Sequence, residues 1–163
     1  MLPALLAAAL LASTGPGDAY DPFEDPPPGG QERPRLHLTA WGGAFTGAPG
    51  SGRDGGALLG GEVAWSFDAM DVGVQALAAQ LDAGGSRSSP VLLLRLGQRF
   101  ETRQGLEATF TLGMGAARRD RWEAWFQVGL GGRLDLGPVF VAAELAFEQA
   151  DLIRLAGGLG VRF

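Results

Sequence analysis

The chain has 163 residues, a formal net charge of −5 and no cysteine. That length fits one domain; the missing cysteine excludes disulfides, thiolate nucleophiles and thiolate metal sites; the acidic balance argues against nucleic acid, which needs a clustered basic surface. All 13 basic residues are arginine, 27 residues are glycine, and only 19% of residues are charged.

In chain order, Leu2 to Ala12 is an almost unbroken run of Leu and Ala. It has the length of a signal-peptide hydrophobic region and is too short to span a bilayer as a helix. Small residues follow, and Gly17-Asp18-Ala19 offers a cleavage site before Tyr20. Residues 1–19 are therefore expected to be a signal peptide. Residues 20–34 carry Asp21, Glu24, Asp25 and the run Pro26-Pro27-Pro28-Gly29-Gly30. Such a stretch buries too little apolar area to offset its ordering entropy, so it reads as a disordered, Pro-rich acidic tail.

From Arg35 to Phe163 no helical periodicity is present, and eight segments alternate with period two: residues 36–45, 57–67, 71–81, 91–100, 106–116, 121–134, 139–148 and 152–163. Each is near the roughly 9–11 residues that a tilted transmembrane strand needs. Without a long apolar helix, a spanning structure must be a closed barrel. Connections 46–56 and 82–90 are long; those at 68–70, 101–105 and 135–138 are short turns. This alternation of long loops and short turns matches outer-membrane barrels with both termini in the periplasm.

Segments two and four to eight have distinct faces. One face carries Leu59, Val63, Trp65, Phe67, then Leu92, Leu94, Leu96, Phe100, and so on to Leu159, Val161 and Phe163. The opposite face carries Glu62, Arg95, Arg99, Glu107, Arg133, Glu144, Glu148, Arg154 and Arg162. Segments one and three alternate poorly. A lipid-facing Arg at the bilayer midplane costs about 2–4 kcal/mol, so the charged set is expected in the lumen as a network. Within it, Arg99 should pair with Glu107 across the 101–105 turn, and Arg154 with Glu144 or Glu148. A lipocalin-like barrel would invert the faces; the leader, the terminal Phe and the aromatics near strand ends (Trp65, Phe67, Phe100, Trp122, Phe147) favour the membrane version.

On strand count, loop asymmetry and the ending Gly158-Leu159-Gly160-Val161-Arg162-Phe163, residues 35–163 resemble the small eight-stranded outer-membrane barrels of Gram-negative bacteria, the group around the transmembrane domain of outer-membrane protein A. The resemblance implies an all-β, eight-stranded antiparallel up-and-down transmembrane barrel, with Val161 and Phe163 in the C-terminal signal read by the barrel-assembly machinery. Implied partners are outer-membrane lipid and lipopolysaccharide, with that machinery and periplasmic chaperones during biogenesis, for a monomer of the outer membrane.

Candidate chemistry is thin. His37 is the only histidine and lies at the periplasmic start of segment one, whereas barrel-type lipid A deacylases and palmitoyltransferases place their His and Ser near the outer leaflet; it reads as structural. Glu62, Glu107, Glu123, Glu144 and Glu148 could supply an acid/base pair, but arginine pairing is the simpler reading. Asp54, Asp82 and Asp120 sit in separate loops and read as solvated acids rather than a calcium site. Arg118, Arg119 and Arg121, the one tight basic cluster, read as a solvated tip. No catalytic residue, cofactor or metal is expected. An eight-stranded lumen is just wide enough for side chains, so no sizeable open channel is expected either. The leading expectation is a small non-enzymatic barrel with an envelope-structural or surface-interaction role. Passive transport of small or hydrophobic solutes is the alternative, and a lipid-modifying enzyme is third.

Overall fold

The computed structural model describes residues 35–47, 55–80, 88–103, 105–118, 121–149 and 151–163. The expected leader (1–19) and tail (20–34) lie outside the described residues, as do most of the 46–56 and 82–90 connections and Asp54, Asp82 and Asp120. Eight strands follow in chain order: β1 (Arg35–Gly47), β2 (Gly56–Phe67), β3 (Met70–Ala79), β4 (Ser89–Arg103), β5 (Leu106–Arg118), β6 (Trp122–Leu136), β7 (Val139–Glu148) and β8 (Leu152–Arg162). Each pairs antiparallel with its chain neighbour, and β8 pairs back onto β1 from His37↔Arg162 to Gly47↔Leu152. The all-β, eight-stranded up-and-down barrel expected from the alternation is the architecture observed, with no open sheet edge.

Some boundaries differ from expectation. β4 runs through the presumed 101–105 turn to Arg103, because Glu101 still pairs with Glu107 and Arg103 with Leu106 across a register irregularity. β3 stops at Ala79 rather than reaching residue 81. The tight turns use residues suited to positive φ: Gly105 at 76°, Gly137 at 81° and Asp68 at 48°. Gly137 precedes Pro138, and a glycine with positive φ is what the first central position of a II′ hairpin turn requires. The end of the barrel carrying these turns is called the turn end below, and the opposite end the loop end.

The two faces are inverted relative to a water-soluble barrel. Leu59, Leu130 and Leu155 face outward and are 69%, 61% and 65% exposed, whereas Arg154 and Glu148 face the lumen and are 1% and 0% exposed. The lipocalin-like arrangement is thereby excluded. The aromatics Trp65, Phe67, Phe100, Trp122 and Phe147 all lie outward near strand ends.

The lumen is not polar throughout. At the loop end Phe45, Leu58, Leu77, Val91, Leu93, Trp125 and Leu152 pack together inside the barrel. This apolar cap includes the inward residues of β1 and β3. Those strands are apolar on both faces there, which removes the contrast that period-two reading depends on.

Candidate functional site

The inward-facing ionic side chains form two layers beneath the apolar cap. The layer nearer the loop end is organised by Glu144 on β7. Its carboxylate accepts from Arg95 on one oxygen and Arg154 on the other; Thr111 Oγ1 donates to it at 3.1 Å and Gln127 Nε2 at 2.8 Å. Arg95 also reaches Glu62, so one guanidinium from β4 joins β2 to β7 across the lumen. Glu62 accepts in addition from Trp41 Nε1 at 2.9 Å and Gln75 Nε2 at 3.3 Å. Arg154 Nη1 lies 3.1 Å from Glu148, whose other oxygen accepts from Trp125 Nε1 at 2.9 Å.

Three carboxylates thus meet two guanidinium groups. Neutral donors supply what the excess carboxylate lacks: two indoles, two amides and a hydroxyl, aimed by packing. A buried carboxylate is tolerated only where such donors and counter-charges meet it. The glycine at 129 is part of this arrangement, because a Cβ there would collide with Thr111 Oγ1 and come within 3.1 Å of the Glu144 carboxylate carbon.

The layer nearer the turn end is organised differently. Arg99 lies 3.1 Å from Glu107 and 3.2 Å from Asp71. Arg133 lies 2.5 Å from Glu107, 3.5 Å from Asp135 and 3.6 Å from Asp71. Arg162 donates to Asp135 at 2.6 Å. Three arginines face three carboxylates, and Arg133 and Arg162 also lie over the Phe140 ring at 5.1 and 5.9 Å. Gly160 makes room for that ring; any Cβ there would strike it.

His37 belongs to this second layer. Ser66 Oγ is 2.9 Å from its Nε2 and donates to Asp71, while Arg133 Nη1 is 3.4 Å from its Nδ1. An arginine can only donate, so Nδ1 is the acceptor and Nε2 carries the hydrogen. From donor to acceptor the chain runs Arg133 to His37 to Ser66 to Asp71, and the Asp71 carboxylate also faces Arg133 as an ion pair at 3.6 Å. The hydroxyl proton of Ser66 points to a carboxylate and not to the imidazole. This is the reverse of the direction a serine nucleophile needs, in which the histidine accepts that proton. Ser66 and His37 are also 7% and 3% exposed. The geometry is that of a satisfied buried histidine. Ser66 and Asp71 both stand in strands beside His37, on β2 and β3.

Between the layers is a cavity of about 60 Å³ lined by groups including Thr39, Ala64, Gly97, Thr109 and Ala142. A space of this size, with charged groups of both layers on its walls, has room for a few water molecules. Among the described residues no cluster of His, Asp and Glu is arranged to hold a metal ion.

Each residue of the expected lumen network can be placed. Glu62, Arg95, Glu144, Glu148 and Arg154 lie in the first layer; Arg99, Glu107, Arg133 and Arg162 lie in the second. Arg99 is not directly opposite Glu107: the register sets Thr109 opposite Arg99, and the side chains meet on the diagonal. Glu123 is not in either layer; it lies at the loop-end rim, 3.8 Å from Arg121. Val161 is outward and half-buried, and Phe163 donates its backbone N–H to Leu36 at 2.9 Å. Asp71, Asp135, Gln75, Gln127, Thr111 and Trp41 were missed. Asp135 reads as a turn residue and Asp71 opens the poorly alternating segment 71–81, although their parity with Arg133 and Gln75 already puts them on the inward face.

The sequence matches no family model and no curated protein. Among the solved barrels that the structure is similar to are three from bacteria. These are the N-terminal β-barrel domain of OprF from Pseudomonas aeruginosa (TM-score 0.59, 14% identity, 79% of this chain and 97% of that one), Neisserial surface protein A (0.53, 12%, 80% and 97%), and the Yersinia pestis outer membrane protein Ail (0.53, 13%, 80% and 100%). The chain therefore has the fold of the small eight-stranded outer-membrane barrels. Identities this low carry the fold and leave the role open.

Proposed function

We propose that this chain is a small non-enzymatic β-barrel of the Gram-negative outer membrane, with its lumen closed by the two ionic layers and a role in envelope structure or surface interaction. The observation that carries this reading is the inversion of faces: leucines outward at 61–69% exposure, arginine and glutamate inward at 0–1%. In water the outward belt would be an apolar patch far beyond the few hundred Å² that soluble monomers expose. In a bilayer that same belt is the stabilising surface. Outward aromatics near both strand ends fit interfacial girdles. Two of the solved barrels named above are described as a surface protein and an outer membrane protein, which supports the same location.

Closure of the lumen disfavours passive transport as the main role. Arg95, Arg154, Arg133 and Trp125 fill the cross-section, and the apolar cap lies above them. The arrangement at His37 and Ser66 disfavours hydrolysis. The test is to refold the full chain into phospholipid vesicles. It should float with them and migrate faster unheated than boiled on a gel, and planar bilayers holding it should show no stable nanosiemens channels. A soluble chain with no mobility shift would end the membrane reading; stable large channels would end the closed-lumen reading.

A further inference from the structure

The outward face of the barrel has a single charged member among the described side chains. That residue is Arg118, the last of β5 and exposed. Its neighbours on the same face of the strand are Ala116, Met114 and Leu112. Across the hairpin its register partner is Trp122, also outward and 54% exposed. From Leu106 to Arg118 the strand advances twelve residues. At about 3.4 Å per residue and a tilt of about 40°, that is a height of about 30 Å, the thickness of a hydrocarbon core. With Leu106 at the inner boundary, Arg118 therefore stands at the outer one, level with lipid headgroups.

No carboxylate among the described residues pairs with Arg118. Arg121, beside it at the rim, is almost fully exposed and only loosely matched to Glu123 at 3.8 Å. The turn-end rim contrasts with this: its outward positions end in Phe67, Phe100, Leu106, Leu136 and Phe163. An outward arginine at headgroup height with no carboxylate partner among the described residues, beside an indole and above an apolar floor, complements one kind of partner: an anionic lipid, whose phosphate would take the guanidinium in a bidentate pair while its acyl chain lies on Met114 and Leu112. We propose that Arg118, with Arg121 and Trp122, forms a docking site on the β5–β6 rim for the phosphate of an anionic outer-leaflet lipid. The proposal rests on the membrane reading above, and it reassigns Arg118 from a solvated tip to a lipid contact.

The test uses the full chain refolded into nanodiscs of phosphatidylcholine and phosphatidylglycerol. Lipid retained on the barrel is counted by native mass spectrometry after release. The wild type should retain phosphatidylglycerol in preference to phosphatidylcholine. Arg118→Gln should lower that preference about five-fold, the factor for about 1 kcal/mol per surface arginine; Arg121→Gln should lower it less, and Arg118→Lys should keep part of it. Equal retention by wild type and Arg118→Gln overturns the site while leaving the membrane reading intact. A chain that never enters the bilayer, scored by flotation, overturns both.

Discussion

The two ionic layers close the same lumen by different means. Around Glu144 the side chains are nearly dry: Arg154, Arg95 and Glu144 are 1–4% exposed, and a carboxylate excess is held by indole, amide and hydroxyl donors. Around Arg133 the charges balance, the carboxylates are 16–20% exposed, and each arginine has more than one acidic neighbour except Arg162. The first layer is a hub in which Glu144 joins both guanidinium groups, each of which has one further carboxylate. The second is a mesh in which a lost contact is shared among neighbours and reached by water. Burial decides the difference, because removing one partner of a dry ion pair leaves a charge that nothing solvates.

That comparison can be broken by substitution. Glu144→Ala leaves both Arg95 and Arg154 short of their main acceptor. It should destabilise the barrel by about 3–5 kcal/mol, measured by urea unfolding in vesicles with unheated gel mobility as readout. Gly129→Val drives a branched side chain into the same hub and should cost about 1–3 kcal/mol by overpacking, in the same assay. In the mesh, Arg99→Ala should lose only about 1 kcal/mol, since Arg133 still serves Glu107 and Asp71. A result for Arg99→Ala equal to that for Glu144→Ala would abolish the distinction between hub and mesh. The smallest effect is the finest test. Raising the salt concentration should weaken the contribution of the Arg99–Glu107 pair, taken from a double-mutant cycle, and leave that of Arg154–Glu144 unchanged, because screening acts on wetted charges.

Much of this architecture is legible in the sequence. Six of the strands show two chemically distinct faces, and charge alone decides which face is inward. β1 and β3 are opaque because Trp41, Phe45 and Leu77 point inward into the apolar cap, so both faces look alike. Most of the arginine and glutamate members of the ionic layers are also legible, since parity fixes the face; Asp71 and Asp135, beside turns, are not singled out. The pairing among the members is not legible. Arg95 meets Glu144 across 49 residues of chain because strands tilt and stagger around a closed sheet. Period two records the face of a residue but not its height. His37 shows the same limit: the sequence contains Ser66 and Asp71, and only the register of β1 against β2 and the turn at Asp68 bring them to one imidazole.

β8 has a place in this scheme that its hydrogen bonds to β1 do not convey. It contributes one guanidinium to each layer, Arg154 to the hub and Arg162 to the mesh. Before β8 docks, Glu144 and Glu148 lack Arg154, and Asp135 lacks Arg162. Seating this one strand therefore zips the cylinder and neutralises both levels of its interior in a single step. A half-closed barrel would be electrostatically incomplete at two heights at once, and that penalty favours an all-or-none assembly over a populated open sheet.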